Sequence, residues 1–382
     1  MNIAIDITPL KQKNLSGVGK YLKETLSRLL ILDRKNKYFL ISFGRKNKSI
    51  DVDLKSENVK LIHYNIPSKL MFILSLFFKW PNLDVDIFWL PNFNICHLKG
   101  RSAGRQGKNI KLISTVHDLS FIKYPQFLNW SRKLWHKFVC PRKIIQNSDK
   151  LIAVSENTSL DLQNIYHVST DKIIVSPLGV DRKFNKIAKQ EYLQQIKEKY
   201  QLKNDFVLFV GTKEPRKNIL AVLMAFKKIN FDLDLFILGP SGWKEGPWRD
   251  YYQHLPPEVK ERIKILDYCL EKDLPALYNL AKVFIWPSFY EGFGLPVLEA
   301  LACGCPVISS NNSSLPEVVK ENALLIEAFD VQDLYLALKQ LLTDQDLYNF
   351  YKSKSFDKEY YNNWDRAAEE LLELFNKLKI QS

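Results

Sequence analysis

SFYEGFGLPVLEALACGCPVIS, residues 288–309, sets Glu291 and Glu299 on either side of a Gly-Phe-Gly turn and a proline. The apolar run before it, Val283–Trp286, reads as a buried strand. The residues after it read as a helix, because Pro296 suits a first helical turn, where its missing N–H costs nothing. Amides around Phe293, Gly294 and Leu295 would then point from a helix N-terminus, a ready place for a phosphate. Gly292 and Gly294 let the backbone approach such a ligand closely. Either glutamate alone reads as a loop carboxylate or a charge on the helix dipole. As a pair around this turn, they suit an anion flanked by vicinal hydroxyls.

Outward from this stretch, short apolar runs alternate with amphipathic ones, the pattern of an α/β chain with parallel sheets. Ile3–Ile7, Leu112–Val116, Phe206–Val210, Leu235–Leu238 and Ile263–Ile265 are further strand candidates. The chain of 382 residues exceeds a comfortable single core, so two domains are expected. The break falls in SPLGVDRKF, Ser176–Phe184, where a Pro and a Gly follow a strand. The expected division is 1–183 and 184–360, two Rossmann-like domains, followed by a helix over 361–382. Trp364, Ala367, Ala368, Leu371, Leu372, Phe375 and Leu378 form that helix's apolar stripe. Ligands of doubly wound sheets bind at the carboxyl ends of the strands.

Three more segments sit at such ends. VGTKEPRKN, Val210–Asn218, presents Lys213, Arg216 and Lys217 after a strand, suited to clamping a diphosphate; a solvated basic loop is the plain alternative. NLSGVGKY, Asn14–Tyr21, has Gly17 and Gly19 opening a helix, an incomplete phosphate-turn pattern. STVHDLS, Ser114–Ser120, places His117 just past a strand.

Composition bounds the function. The net charge of +13 divides into +16 over residues 1–185 and −3 over the rest, so the first half suits an anionic surface or substrate or, equally, carries ordinary solvated lysines. No nucleic-acid motif accompanies that charge. Trp130, Arg132, Lys133, Trp135, Lys137, Arg142 and Lys143 mix aromatics with cations on one helix candidate, which suits anionic lipid or, equally, a surface helix with core tryptophans. The apolar run Leu70–Phe78 is too short to span a bilayer. Cys96, Cys140, Cys269, Cys303 and Cys305 form no CxxC pair and read as reduced thiols in a cytoplasmic protein, and the N-terminus reads as a strand with no signal peptide. The triplets Asp51–Asp53, Asp84–Asp86 and Asp232–Asp234 read as strand-edge charges, so no metal is expected.

Together SGVGKY, VHD, IAVSENT, SPLGVD, EPRKN and LPALYNLAKVFIWPSFYEGFGLPVLEALACGCPVISS resemble the retaining GT-B glycosyltransferases of family 4, the glycosyl transferases group 1, over nearly the whole chain. The resemblance implies two Rossmann-like domains facing across a cleft, 1–183 N-terminal and acceptor-binding and 184–360 donor-binding, with the helix of 361–382 returning to the first. It implies transfer of a hexose from a nucleotide sugar to a saccharide or lipid-linked acceptor, with the anomeric configuration retained and neither metal nor cofactor. The likeness is strongest to mannosyltransferases using GDP-mannose in surface-polysaccharide assembly, with a UDP-hexose as the alternative donor. The implied catalytic residues are His117, Arg216, Lys217 and Glu291. Gly17, Gly19, Gly211, Tyr268, Phe293, Gly294, Leu295 and Glu299 would bind the donor and its nucleotide. Asp267 stands where the family's base-contacting loop has glycine, and Ser16 where it has the first of two glycines. A cytoplasmic enzyme, peripheral at the inner face of the membrane, follows as the expectation.

Overall fold

The computed structural model describes residues 1–12, 15–45, 57–67, 70, 84–93, 110–354 and 364–380. The apolar run after Leu70, the triplet Asp51–Asp53, Asn14, Cys96 and most of the cationic stretch Lys99–Lys111 lie outside them.

Two sheets form, each wholly parallel in its pairings. The first holds β1 (Asn2–Asp6), β2 (Lys37–Phe43), β3 (Val59–Tyr64), β4 (Ile87–Leu90), β5 (Lys111–Val116), β6 (Lys150–Ala153) and β7 (Ile173–Val175), in the order β3-β2-β1-β4-β5-β6-β7. The second holds β8 (Phe206–Val210), β9 (Asp234–Leu238), β10 (Ile263–Leu266), β11 (Val283–Trp286), β12 (Val307–Ser310) and β13 (Leu324–Ile326), in the order β10-β9-β8-β11-β12-β13. Parallel strands are covered on both faces, which is why they read as unbroken apolar runs. Ile3, Ala4 and Ile5 of β1, and Val207, Leu208 and Phe209 of β8, have no exposed surface. The edge strand β3 departs from this rule and carries the exposed Lys60 and Leu61.

In both sheets the strand order reverses beside the first strand, at β1/β4 and at β8/β11. Such reversals open a crevice at the strands' carboxyl ends. In the second sheet, Lys213, Arg216 and Lys217 follow β8, and the Glu291 turn follows β11.

The chain divides into two compact units. One comprises Met1–Phe121, Trp130–Gly179 and Asn363–Ser382; the other comprises Ile122–Asn129 and Val180–Asn362. The change at Gly179 lies within the Pro-Gly stretch singled out in the sequence. The excursion of Ile122–Asn129 into the second unit has no local signal.

The final helix, Trp364–Ile380, packs on the helix Gly17–Leu32 of the first unit. Trp364, Ala367, Ala368, Leu371, Phe375 and Leu378 are buried. Leu374 joins them, whereas Leu372 is only partly covered. Arg28 Nε donates to Asp365 at 2.6 Å, and Ser176 Oγ to Glu370 at 2.7 Å, which fix the helix's register on the unit.

Candidate active site

The turn after β11 has one backbone solution. Gly294 sits at φ +111°, and a Cβ there would lie 2.7 Å from Leu315 Cδ2, so conformation and space both require glycine. The helix Leu295–Ala302 opens directly from it, with Pro296 in its first turn and no side-chain cap among the described residues. The loop after β12 pins the turn. Ser314 Oγ donates to the carbonyls of Glu291 (3.0 Å) and Phe293 (2.9 Å), and the Glu291 amide donates to Ser313 Oγ (2.8 Å).

Across the crevice, Glu214, Pro215, Arg216 and Lys217 form a single tight turn after β8. Asn218 ends it in the left-handed region and donates its side-chain amide to Ala328 O at 2.7 Å. The turn delivers two cations to one carboxylate. Arg216 Nη1 donates to Glu291 Oε2 at 3.0 Å and Lys217 Nζ to Glu291 Oε1 at 2.6 Å. Arg216 also holds Glu214 through Nη2 (2.7 Å) and donates to the Tyr290 carbonyl. Lys217 lies over the Trp286 ring, 4.5 Å from its centroid.

These four charges, two positive and two negative, are nearly dehydrated. Burial alone would raise the Glu291 pKa, but Arg216 and Lys217, with the Lys217 hydrogen bond, hold it at about 2. The Lys217 ammonium moves below its usual range, through burial first and the neighbouring Arg216 second, against the pull of Glu291 and Glu214. Two cations beside an open helix N-terminus are chemically suited to an anion, and here two carboxylates balance their charge.

Glu299 is buried one turn into the helix Leu295–Ala302 and accepts from Tyr278 Oη at 3.2 Å. Burial, reinforced by Glu299, pushes the Tyr278 phenol well above its ordinary pKa, so it remains a donor. Gly211, just past β8, leaves no room for a side chain, since a Cβ would meet Trp286 at 2.6 Å. Phe293 is buried, while Tyr268 is largely exposed in the loop after β10.

The excursion Ile122–Asn129 braces the Glu291 turn from outside. Phe127 stacks on Phe289 with centroids 5.0 Å apart, and Tyr124 approaches Tyr290 at 5.8 Å. Trp243 Nε1 donates to Phe127 O at 2.7 Å and Lys244 Nζ to Gln126 O at 2.7 Å.

In the first unit, Gly17 and Gly19 form the opening turn of the helix Gly17–Leu32, and Ser16 Oγ accepts from the Gly19 amide at 3.4 Å. Serine caps the helix there, a role that glycine performs less well. His117 stands past β5, with its Nε2 2.8 Å from Pro91 O and its ring edge-on to Tyr21. A carbonyl accepts only, so the proton sits on Nε2. Burial, partly offset by that carbonyl and by Asp118, lowers the ring's pKa and leaves Nδ1 with its lone pair.

Sequence reasoning missed Asp6, at the carboxyl end of β1. It has no exposed surface, its Oδ1 accepts from the Thr8 amide at 2.9 Å, and its Oδ2 meets no hydrogen-bond partner among the described residues. Burial raises its pKa from 3.8 to about 6, against the Thr8 hydrogen bonds. The folded state therefore holds the proton more tightly, and the Asp6 contribution to stability falls as pH rises from about 4 to 6. Asp6→Asn is expected to remove that decline, so that its melting temperature exceeds wild type at pH 7 by more than at pH 4. An equal difference at both pH values would refute this reading. Also missed were Glu214, Tyr278, Ser313 and Ser314. The only signal was a charge in an apolar strand for Asp6, and Glu-Pro before Arg-Lys for Glu214.

The model described as Glycosyltransferase Family 4 matches residues 16–184, and the one described as Glycosyl transferases group 1 matches residues 193–358. The O-antigen chain mannosyltransferase B of Escherichia coli is 28% identical over 303 residues, 76% of this chain and 74% of that protein. Among solved structures, sucrose-phosphate synthase from Thermosynechococcus elongatus aligns over all of both chains with a TM-score of 0.78 at 21% identity. Anabaena HepE in complex with UDP and glucose aligns over 99% of this chain and all of its own, with a TM-score of 0.71 at 14% identity. With two doubly wound sheets and both family models side by side along its length, the chain belongs to glycosyltransferase family 4 and is a glycosyltransferase of the GT-B fold.

Proposed function

We propose that this enzyme transfers mannose from GDP-mannose to a saccharide or lipid-linked saccharide hydroxyl in surface-polysaccharide assembly, with retention and without a metal. The observation that carries the reading is the buried Arg216–Lys217–Glu291 cluster beside the open N-terminus at Gly294. In this reading the donor's diphosphate takes the cations and the Gly294 and Leu295 amides, and Glu291 turns to the sugar hydroxyls. Glu299, held by Tyr278, accepts from the ribose. His117 and the Gly17–Gly19 turn take their roles toward the sugar and the phosphates from the family resemblance alone. As the bond from anomeric carbon to phosphate oxygen breaks, the acceptor oxygen bonds to that carbon from the same face, and its proton passes to the departing phosphate. Fixed positive charge on the leaving group lowers that barrier.

Mannose is preferred on the likeness to the O-antigen mannosyltransferase. A UDP-hexose remains the second donor reading, supported by the likeness to Anabaena HepE, whose structure holds UDP and glucose. Calorimetric titration with GDP and UDP in EDTA tests both. Saturable binding of GDP, weakened at least tenfold in Glu299→Ala through loss of buried acceptor contacts, is expected. An inverted product by NMR would overturn retention, and activity lost in EDTA and restored by Mn²⁺ would overturn metal independence.

We also propose peripheral docking on anionic lipid. In the helix Trp130–Val139, Trp130 is 76% exposed and Leu134, one turn on, is 42% exposed. Arg132, Lys133, Arg142 and Lys143 are exposed around them. No helix among the described residues is long and apolar enough to cross a membrane. Flotation with vesicles containing anionic lipid, lost in Trp130→Ser and absent with neutral lipid, is the expected result. Equal recovery with both vesicle types would rule this docking out.

A further inference from the structure

The carboxyl ends of β8, β9 and β10 build a second polar cluster, apart from Arg216 and Glu291. Lys213, past β8, is fully buried; its ammonium donates to Gly239 O, past β9, and to Asp267 Oδ1, past β10, the latter at 2.6 Å. Ser241 bridges in parallel to Lys213 and its hydroxyl accepts from Arg249 Nη2 at 3.4 Å. Arg249, on the helix Gly246–Gln253, adds its charge nearby. Yet the Asp267 side chain is 75% exposed. An exposed carboxylate needs no buried partner, and a buried lysine is costly compared with an apolar side chain of the same size. Stability alone therefore gives no reason for the pair. Its effect is to aim an ionised carboxylate in a fixed direction above the sheet.

The platform beneath it is rigid. A Cβ on Gly239, at φ +145°, would lie 2.0 Å from Gly211 O, and one on Gly242 would lie 2.3 Å from Lys213 O. The backbones past β8 and β9 thus touch, forming a ledge that starts at Gly211 and ends at Asp267 and the exposed Tyr268. A nucleotide at a doubly wound sheet lies along the strand ends from the switch point, here β8/β11. The β12 side is occupied by Ser310, Ser313 and Ser314, which pin the Glu291 turn and its approach. The ledge over β9 and β10 is the side left for a base.

We propose that Asp267, aimed by Lys213, reads the base of the nucleoside diphosphate and selects guanine over uracil, an inference that rests on the donor-site reading above. Guanine offers N1–H and N2–H as adjacent donors, which suit a carboxylate with free lone pairs. Uracil offers one N–H between two carbonyl oxygens, which the carboxylate repels. The Tyr268 ring, next in sequence, provides a face for stacking.

The test is calorimetric titration of wild type, Asp267→Asn and Lys213→Met with GDP and with UDP. Wild type is expected to bind GDP more tightly. Asp267→Asn is expected to weaken GDP about 10- to 100-fold while leaving UDP unchanged or tighter. Lys213→Met should narrow the same ratio with Asp267 in place. Asp267→Asn keeps the shape and an amide oxygen for the Lys213 ammonium but removes its counter-charge, so retained UDP binding, and not the melting temperature, shows that the ledge is folded and that the comparison reads recognition. A GDP-to-UDP ratio unmoved by Asp267→Asn, or a wild type preferring UDP, would overturn the assignment while leaving the donor site standing. If wild type binds neither nucleotide, the donor-site reading falls and this assignment with it.

Discussion

Glu291→Ala is expected to abolish turnover and to lower stability by about 3–5 kcal/mol, the cost of leaving buried charges without their partner. Lys217 and Arg216 both direct hydrogen bonds to this carboxylate, and Lys217 has little solvent to replace it. The same interaction sets an acid limit. The carboxyl pKa is about 2 in the fold against an ordinary 4.5, so its stabilisation is complete above pH 4.5 and is lost as pH falls toward 2. That window corresponds to roughly 3 kcal/mol, of the same order as the substitution. Chemical denaturation at pH 7 and pH 3 checks both statements, because the gap between wild type and Glu291→Ala should shrink at the lower pH. A constant gap would remove the ion pair as its cause.

Glu291→Gln separates binding from turnover. It keeps the shape and removes one negative charge beside two cations, so a diphosphate no longer competes with a full carboxylate. Nucleoside diphosphate affinity is expected to rise about tenfold at the effective dielectric of a partly buried site. Turnover is expected to fall about 100-fold or more, because the sugar loses its charged acceptor. Parallel losses of affinity and turnover would instead make Glu291 a purely structural partner of Arg216 and Lys217.

What the sequence disclosed follows from the range of the interactions involved. The strand–turn–helix around Gly294 is legible because each step is local: an apolar run, a glycine at positive φ and a proline in a first turn. Likewise Arg216 and Lys217 are visible as cations after a strand, and most strands among the described residues lie where short apolar runs mark them. The partnerships that turn these residues into a site are long-range. Glu291 is 75 residues from Arg216, the serines that pin its turn lie beyond another strand, and Tyr278 reaches Glu299 from a separate helix. No periodicity encodes such pairings. The lysine at 213 illustrates the difference: it reads as one more diphosphate-clamping cation beside Arg216, whereas the fold buries it completely and points it at a loop 54 residues away. Ile122–Asn129 is hidden for the same reason, since stacking of Phe127 on Phe289 depends only on the tertiary path.

Arg216→Ala is expected to lower kcat by about 100- to 1,000-fold, the usual cost of removing one preorganised donor from a developing oxyanion. Its guanidinium is already oriented, with Glu214 gripping Nε and Nη2 and the Tyr290 carbonyl and Glu291 gripping Nη1. That fixed fork stabilises charge that grows on the phosphate oxygen without reorganising as the bond breaks. Ground-state affinity for the diphosphate should fall less, because Lys217 and the Gly294 and Leu295 amides remain in place. Arg216→Lys sharpens the distinction: it restores a positive charge but neither the planar fork nor the hold on Glu214. Nucleotide affinity should return to within a fewfold of wild type while kcat stays at least tenfold low. Steady-state rates combined with nucleotide titration separate the two. If Arg216→Lys recovers both in full, charge alone is what the reaction uses at this position. If Arg216→Ala keeps kcat within threefold of wild type, the burden of leaving-group stabilisation moves to Lys217 and the helix N-terminus.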